Sequence, residues 1–370
     1  MKICEPRSAA SLATVCLVLF FAEASIGQDG MDAETDRLIL AGIELSIQHD
    51  YSQAEAIFQQ LIQDYPEHPF GYFYMAATIQ AKMMDYESDQ WEHEFYRYIH
   101  LAIEIAERKR LAERDTDAWS MFYHGSALCY LAFHEGRKGD YWNAVNHGLA
   151  GVSILKKLTK SHPDCHDAYF GIGSYQYWRS QKTKFLNWLP FISDERNQGI
   201  SLVQRAIEKG HYTRYAAMNE LIWMLLDAGQ LEAAYQWAEA GLTRFPDSRF
   251  FLWGAAKSAM ALGNYSDAAI HFQRLLASLL NSPIDNEYNE YICRVKLAQC
   301  FVQLGKLSDA ADQVELLDSL PLSAEMEKKL KKQRMELHQL KLRLATLPQM
   351  DVPRDSLFTK HKFADKQRRQ

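Results

Sequence analysis

The sequence predicts an all-α chain, a solenoid of about six stacked helix pairs with a C-terminal capping helix, and three observations predict it. First, two segments of equal length follow one another between Tyr215 and Ser282. Ala234, Ala238, Gly241 and Pro246 stand at offsets +0, +4, +7 and +12, and Ala268, Phe272 and Leu275 repeat the first three 34 residues later, with Pro283 displaced to +15. Small residues at helical spacing let facing helices approach closely, and a proline ends the pair. Second, Pro is scarce at 10 and Gly modest at 18 in 370 residues, which suits helices joined by short turns. Third, no convincing strand pattern interrupts the helical periodicity. With 48% hydrophobic and 24% charged residues the chain can bury a large core.

A 34-residue period with these small positions is similar to the tetratricopeptide repeat, and the fold this resemblance implies is a right-handed superhelix of helix pairs. Each pair cannot bury its apolar face alone, so neighbours stack and the concave side becomes a binding surface.

Taken in order, the chain opens with a segment that reads as an address. Lys2 and Arg7 precede the apolar run "SAASLATVCLVLFFA", and Ala22-Glu23-Ala24 has the form of a signal-peptidase site, with Ser25-Ile26-Gly27 as a second. The expectation is export to the periplasm or the exterior with residues 1–27 removed; an uncleaved membrane anchor is the alternative. Residues 28–34 read as a flexible lead-in. The solenoid then spans 35–347, and 348–370 is polar, ends in "KQRRQ" and reads as a disordered tail.

Within the solenoid the first repeat matches best. Ala54, Phe58, Leu61 and Pro66 keep the +4, +7 and +12 offsets, and Gly42 stands twelve residues before Ala54, where the absence of a side chain permits close packing. From Pro69 to Arg110 the period stretches, giving a first helix, a longer loop and an unusually long second helix. Thr116 to Gly136 and Tyr141 to Ser161 form a third pair, with Gly125, Ala144, Gly148 and Gly151 at its contact. His166 to Arg179 is dense in aromatics, and a connection near 180–195 holding Trp188 and Pro190 breaks the pattern. Tyr291 to Ala324 is a further repeat. A capping helix follows from Ser323, its N-cap, with Met326, Leu330, Leu337, Leu340 and Leu344 as the inner stripe.

The runs "GIGSYQYW", "FLNWLPF" and "DERNQGI", within Asp167 to Gly210, resemble the corresponding region of the inclusion-body-clearance family of tetratricopeptide proteins. What that resemblance implies is the repeat architecture.

Chemistry-bearing patterns are few. No P-loop, dinucleotide fingerprint, H-E-x-x-H or G-x-S-x-G occurs, so the expectation is a non-enzymatic protein without cofactor. His162, Asp164, Cys165, His166 and Asp167 are the densest potential ligands, but they fall between two helices, where such residues serve turns and caps, and no metal is assigned. Once residues 1–27 are removed, four cysteines remain. Cys293 and Cys300 lie seven apart on one helix, about 10 Å by rise and too far to bridge. Cys129 and Cys165 are either a disulfide or two small core residues. A net charge of −6 and a pI near 6.1 disfavour nucleic acid.

A protein or peptide partner is therefore expected, an envelope protein among the options, with no expectation about oligomeric state. By the repeat family's pattern the concave positions are Ala216, Asn219, Trp223 and Leu226, then Phe250, Trp253, Lys257 and Met260, then Ile292, Val295, Gln299 and Val302. Asn219, Trp223, Phe250, Trp253, Lys257 and Gln299 are the candidate contact residues, because aromatic anchors dominate binding energy when desolvated. The competing reading has these aromatics filling space between repeats. A second function class, an enzyme or small-molecule binder, would use the aromatic cluster of Tyr175, Tyr177, Trp178 and Trp188.

Overall fold

A computed structural model describes residues 32–184 and 193–346 as helices and short turns. The expectations for the leader, most of the lead-in, the middle of the connection with Trp188, and the tail lie outside these residues.

Among the described residues sixteen helices follow one another: α1 Ala33–Ile47, α2 Tyr51–Asp64, α3 Pro69–Tyr86, α4 Glu92–Ala112, α5 Ala118–Lys138, α6 Tyr141–Ser161, α7 Ala168–Thr183 and α8 Arg196–Lys209, then α9 Arg214–Asp227, α10 Leu231–Arg244, α11 Arg249–Ala261, α12 Tyr265–Leu280, α13 Glu287–Gln303, α14 Leu307–Ser319, α15 Ala324–Lys329 and α16 Lys331–Thr346. Side-chain caps start several of them. Asp32 accepts from the Thr35 amide at 2.8 Å, Asp117 from those of Trp119 and Ser120 at 3.1 and 2.9 Å, and Ser323 from that of Met326 at 3.1 Å. Helix α1 thus begins at Ala33, two residues before the expected boundary, because Asp32 is a competent cap.

Seven pairs result where the spacing suggests about six, since the pairs of 69–112 and 168–209 count as full units despite their stretched loops. The capping segment is two helices. The chain turns at Leu330, and Leu330, Leu337 and Leu340 are buried under it while Met326 and Leu344 pack at its edge. Consecutive first helices touch one another (α1 with α3, α3 with α5, α5 with α7, α7 with α9, α9 with α11), whereas the second helices pack chiefly on first helices. First helices therefore form the inner wall.

The repeat positions explain the close contacts. Ala234, Ala238, Ala268, Phe272 and Leu275 are buried. A Cβ on Gly42 would stand 2.4 Å from the Phe58 ring, and one on Gly241 2.4 Å from that of Phe251. Cys129, Cys165, Cys293 and Cys300 are free thiols, Cys165 in the turn between α6 and α7 and the other three within helices. Of the two readings of Cys129 and Cys165, the structure has the core one.

The inner wall does not stay open along its length. Pairs one and two meet pairs five, six and seven across a seam. Arg249 Nε donates to Asp85 Oδ1 at 2.7 Å and its Nη2 to Asp85 Oδ2, both residues being only 5% exposed. The Arg249 amide donates to His49 Nε2 at 2.7 Å, and Ser248 Oγ donates to the Ile47 carbonyl at 2.9 Å. Asn286 and Asn289 side-chain amides donate to the Asp85 carbonyl at 2.5 and 2.8 Å. A second junction joins Tyr212, before α9, to Asp36 of α1 at 2.5 Å, with Tyr74, Trp119 and Tyr212 in edge contact.

Candidate partner-binding groove

The groove is built on α9, α11 and α13, with α16 at its far end. Trp223 on α9 and Trp253 on α11 come from equivalent stretches of successive repeats. Lys257, one turn beyond Trp253, places its Nζ 5.3 Å from the Trp223 ring centre and 5.6 Å from that of Trp253. The ammonium lies against two indoles, an arrangement in which each ring's negative face attracts the cation. All three side chains are half-buried, and Trp253 is anchored from behind by an edge contact to Phe272 at 6.0 Å.

Lys257 has no carboxylate within ion-pair distance among the described residues. Burial pushes its pKa down, Lys296 and Lys332 push the same way, and Glu336 opposes them. Lys296 is itself paired, at 2.6 Å from Glu336 Oε2, and Gln299 joins both by accepting from Lys296 at 3.2 Å and donating to Glu336 at 3.4 Å. Next to this bridge, Lys329, Lys331, Lys332, Met335, Glu336 and Gln339 line an open groove of about 440 Å³.

The six expected contact residues therefore divide. Trp223, Trp253 and Lys257 come together as one unit, and Gln299 borders it through the Lys296–Glu336 bridge. Asn219 lies one turn before Trp223 with its Oδ1 buried and without a partner. Phe250 lies instead in the seam, its ring 4.7 Å from that of His49. Lys296, Lys332 and Glu336 were not singled out from the sequence. The Lys-rich start of α16 was the available signal, but nothing in the repeat spacing says that the cap folds back beside α13.

The other candidates resolve into structural roles. Tyr177 is fully buried and donates to the Met224 carbonyl at 2.8 Å and to Asp227 at 2.7 Å. Trp178 donates to Glu220, whose pKa burial raises and this bond lowers, leaving it raised. Tyr175 packs over Gly148 beneath Arg179, with the guanidinium 5.8 Å from the ring centre. Tyr177 and Trp178 touch edge-on, their ring centres 5.0 Å apart, while Tyr175 packs separately against α6. Asp167 accepts from the amides of His211, Tyr212 and Thr213 at 3.0, 2.8 and 2.7 Å and from the Thr213 hydroxyl at 2.8 Å, so it holds the turn before α9. His166 accepts from Arg205 at 3.3 Å. Burial pushes the Cys129 and Cys165 thiols up to about 12 and Cys300 up to about 11, which keeps them protonated and unreactive.

Stacked helix pairs with an inner wall of first helices define an α-solenoid of the tetratricopeptide type, and the comparisons agree. Tetratricopeptide repeat family models match residues 39–68 and 254–323. Among solved structures the chain is similar to the crystal structure of the APC/C hetero-tetramer Cut9-Hcn1, with a TM-score of 0.53, 12% identity, and coverage of 85% of this chain and 51% of that one. It is also similar to the crystal structure of PilW, a widely conserved type IV pilus biogenesis factor, with a TM-score of 0.36, 14% identity, and coverage of 81% and 100%. The chain thus spans about half the length of the first of these, whose likeness shows the fold. No curated protein sequence matches this chain. Residues 39–68 and 254–323 thus carry tetratricopeptide repeats, within a chain that has the fold such repeats build. Neither matched range covers 167–210, so the resemblance to the inclusion-body-clearance family rests on its own motifs.

Proposed function

We propose that this protein is a non-enzymatic scaffold, exported to the periplasm or the exterior, that holds a segment of a protein partner against the inner faces of α9, α11 and α13. An envelope protein is the partner class that fits such a location. The observation that carries the reading is the Trp223–Lys257–Trp253 unit. Two large aromatic faces and a cation are half-exposed on the inner wall, where truncation of such anchors removes most of the binding energy. Support for export comes from the basic start, the apolar run and Ala22-Glu23-Ala24 in the sequence.

The test is capture. A photo-crosslinking residue at position 226, beside the unit, should trap a partner in the native envelope, and Trp223→Ala with Trp253→Ala should abolish trapping with helicity unchanged. Trapping that survives the double substitution counts against the groove. Mass spectrometry of the mature N-terminus tests export separately, since an intact Met1 or Lys2 end would contradict removal of the leader.

A further inference from the structure

We propose that the segment held in this groove is acidic, with one Asp or Glu side-chain carboxylate pairing with Lys257 between the two indoles and neighbouring carboxylates reaching Lys332 and Lys331. This inference rests on the groove reading above and adds the chemistry of its occupant.

Charge complementarity carries it. Lys296 and Lys332 lie close enough to act on the charge of Lys257, Lys329, Lys331 and Lys332 line the adjoining groove of α16, and the carboxylate in that lining, Glu336, is already engaged by Lys296 at 2.6 Å. Lys329 has a loose exposed pair with Glu325 at 3.4 Å, whereas Lys257, Lys331 and Lys332 have no carboxylate at ion-pair distance among the described residues. Lys257 is the telling member. An ammonium taken half out of water without a counter-ion is unfavourable, and two ring faces compensate only in part. Burial, with the charges of Lys296 and Lys332, outweighs Glu336 and disfavours its protonated form, and Glu336 is itself engaged by Lys296, so the site is short of negative charge. A carboxylate supplied there gains a charge-assisted hydrogen bond in a place screened by indole walls. A basic segment would add to the repulsion, and a neutral one would leave the ammonium as it is. The apolar parts of the segment have Trp223, Trp253 and Met335 to pack on.

The experiment uses the full chain and fluorescent peptides that alternate Leu with Glu, Gln or Lys, acetylated at the N-terminus and made in both amidated and free-acid forms. Fluorescence anisotropy should show the Glu series binding about tenfold or more tighter than the Gln series, the loss expected for one charge-assisted bond. The preference should weaken with added salt, and the amidated and free-acid forms should bind alike. Lys257→Gln should bring Glu and Gln peptides near parity, Lys257→Arg should keep the preference, and Lys331→Gln with Lys332→Gln, at exposed positions on α16, should reduce it partly. Equal binding of Glu and Gln peptides to the native chain overturns the proposal, as does binding only by free-acid forms, which would assign the contact to a chain terminus. If all peptides bind without charge preference and lose binding with Trp223→Ala and Trp253→Ala, the groove stands and its acidic occupant falls. If Glu peptides bind that double variant as well as the native chain, the groove reading itself has failed.

Discussion

His49 shows what one residue can fix. It has a φ of 66°, a left-handed backbone that a non-glycine residue adopts only when its surroundings enforce it. The ring then reaches the seam. Its Nε2 accepts from the Arg249 amide at 2.7 Å, so the proton is on Nδ1, which lies 2.9 Å from Tyr51 Oη and 3.3 Å from Asp85 Oδ2. A second proton would turn Nε2 into a donor and strand the Arg249 amide. Burial accordingly pushes the His49 pKa down, against the pull of Asp85. Asp85 is also pushed up by burial, but His49 and Arg249 outweigh this and hold its carboxyl below the ordinary range. The signs agree. The unfolded chain takes up a proton at His49 below about 6.5 and at Asp85 below about 3.9 more readily than the folded one. Stability is therefore full above the upper value and falls with acidification, first through His49 and then through Asp85. Melting temperature measured from neutral to acid pH should decline in that order. Asp85→Asn, which leaves Arg249 buried without its anion, should lower stability by about 3–5 kcal/mol at neutral pH in denaturant titration. None of this was legible in the sequence, because the partners are separated by 164 to 200 residues. By contrast, Trp223, Trp253 and Lys257 could be named from repeat position alone. What position could not show is that the lysine bridges both rings.

At the scale of the element, the repeat pattern was a reliable guide because it encodes contact distance. Tyr141 to Ser161 was read as a helix from its small residues and has those bounds in the structure. Gly151 faces the Gly125 carbonyl, where a Cβ would come within 2.6 Å. Gly241 occupies the same kind of place between α10 and α11. Gly241→Ala should therefore destabilise the chain by about 1–3 kcal/mol despite alanine's better helix propensity, because the Phe251 ring must shift. A shift in the urea midpoint without a change in slope would report it. The capping segment was read less well. Its apolar stripe is continuous through Leu330, so periodicity gives no reason to stop there; the turn arises from packing, with Leu330 fully buried and Lys331 exposed beside it. That turn is what brings Glu336 to Lys296.

The whole molecule differs from an open solenoid, in which each repeat touches only its neighbours and stability is close to a sum of nearest-neighbour terms. Here Arg244 pairs with Glu44 at 2.8 Å, Tyr86 meets Ser282 at 2.9 Å, and Arg249 holds Asp85. Arg249→Ala should part the seam and leave the pairwise stacking in place. Small-angle scattering should then show a larger radius of gyration with unchanged helical signal; an unchanged radius would mean that the remaining seam bonds suffice. Closure also bears on synthesis. The turn after α1 waits roughly 200 residues for Ser248 and Arg249, on the order of 10 to 40 s at about 5–20 residues per second. Until the second half of the chain emerges, the earliest helices lack the neighbours that later cover His49 and Asp85. The beginning of this protein is thus among the last of its parts to settle, and an interruption of translation before Asn289 would release a chain whose first repeats expose their unfinished edge.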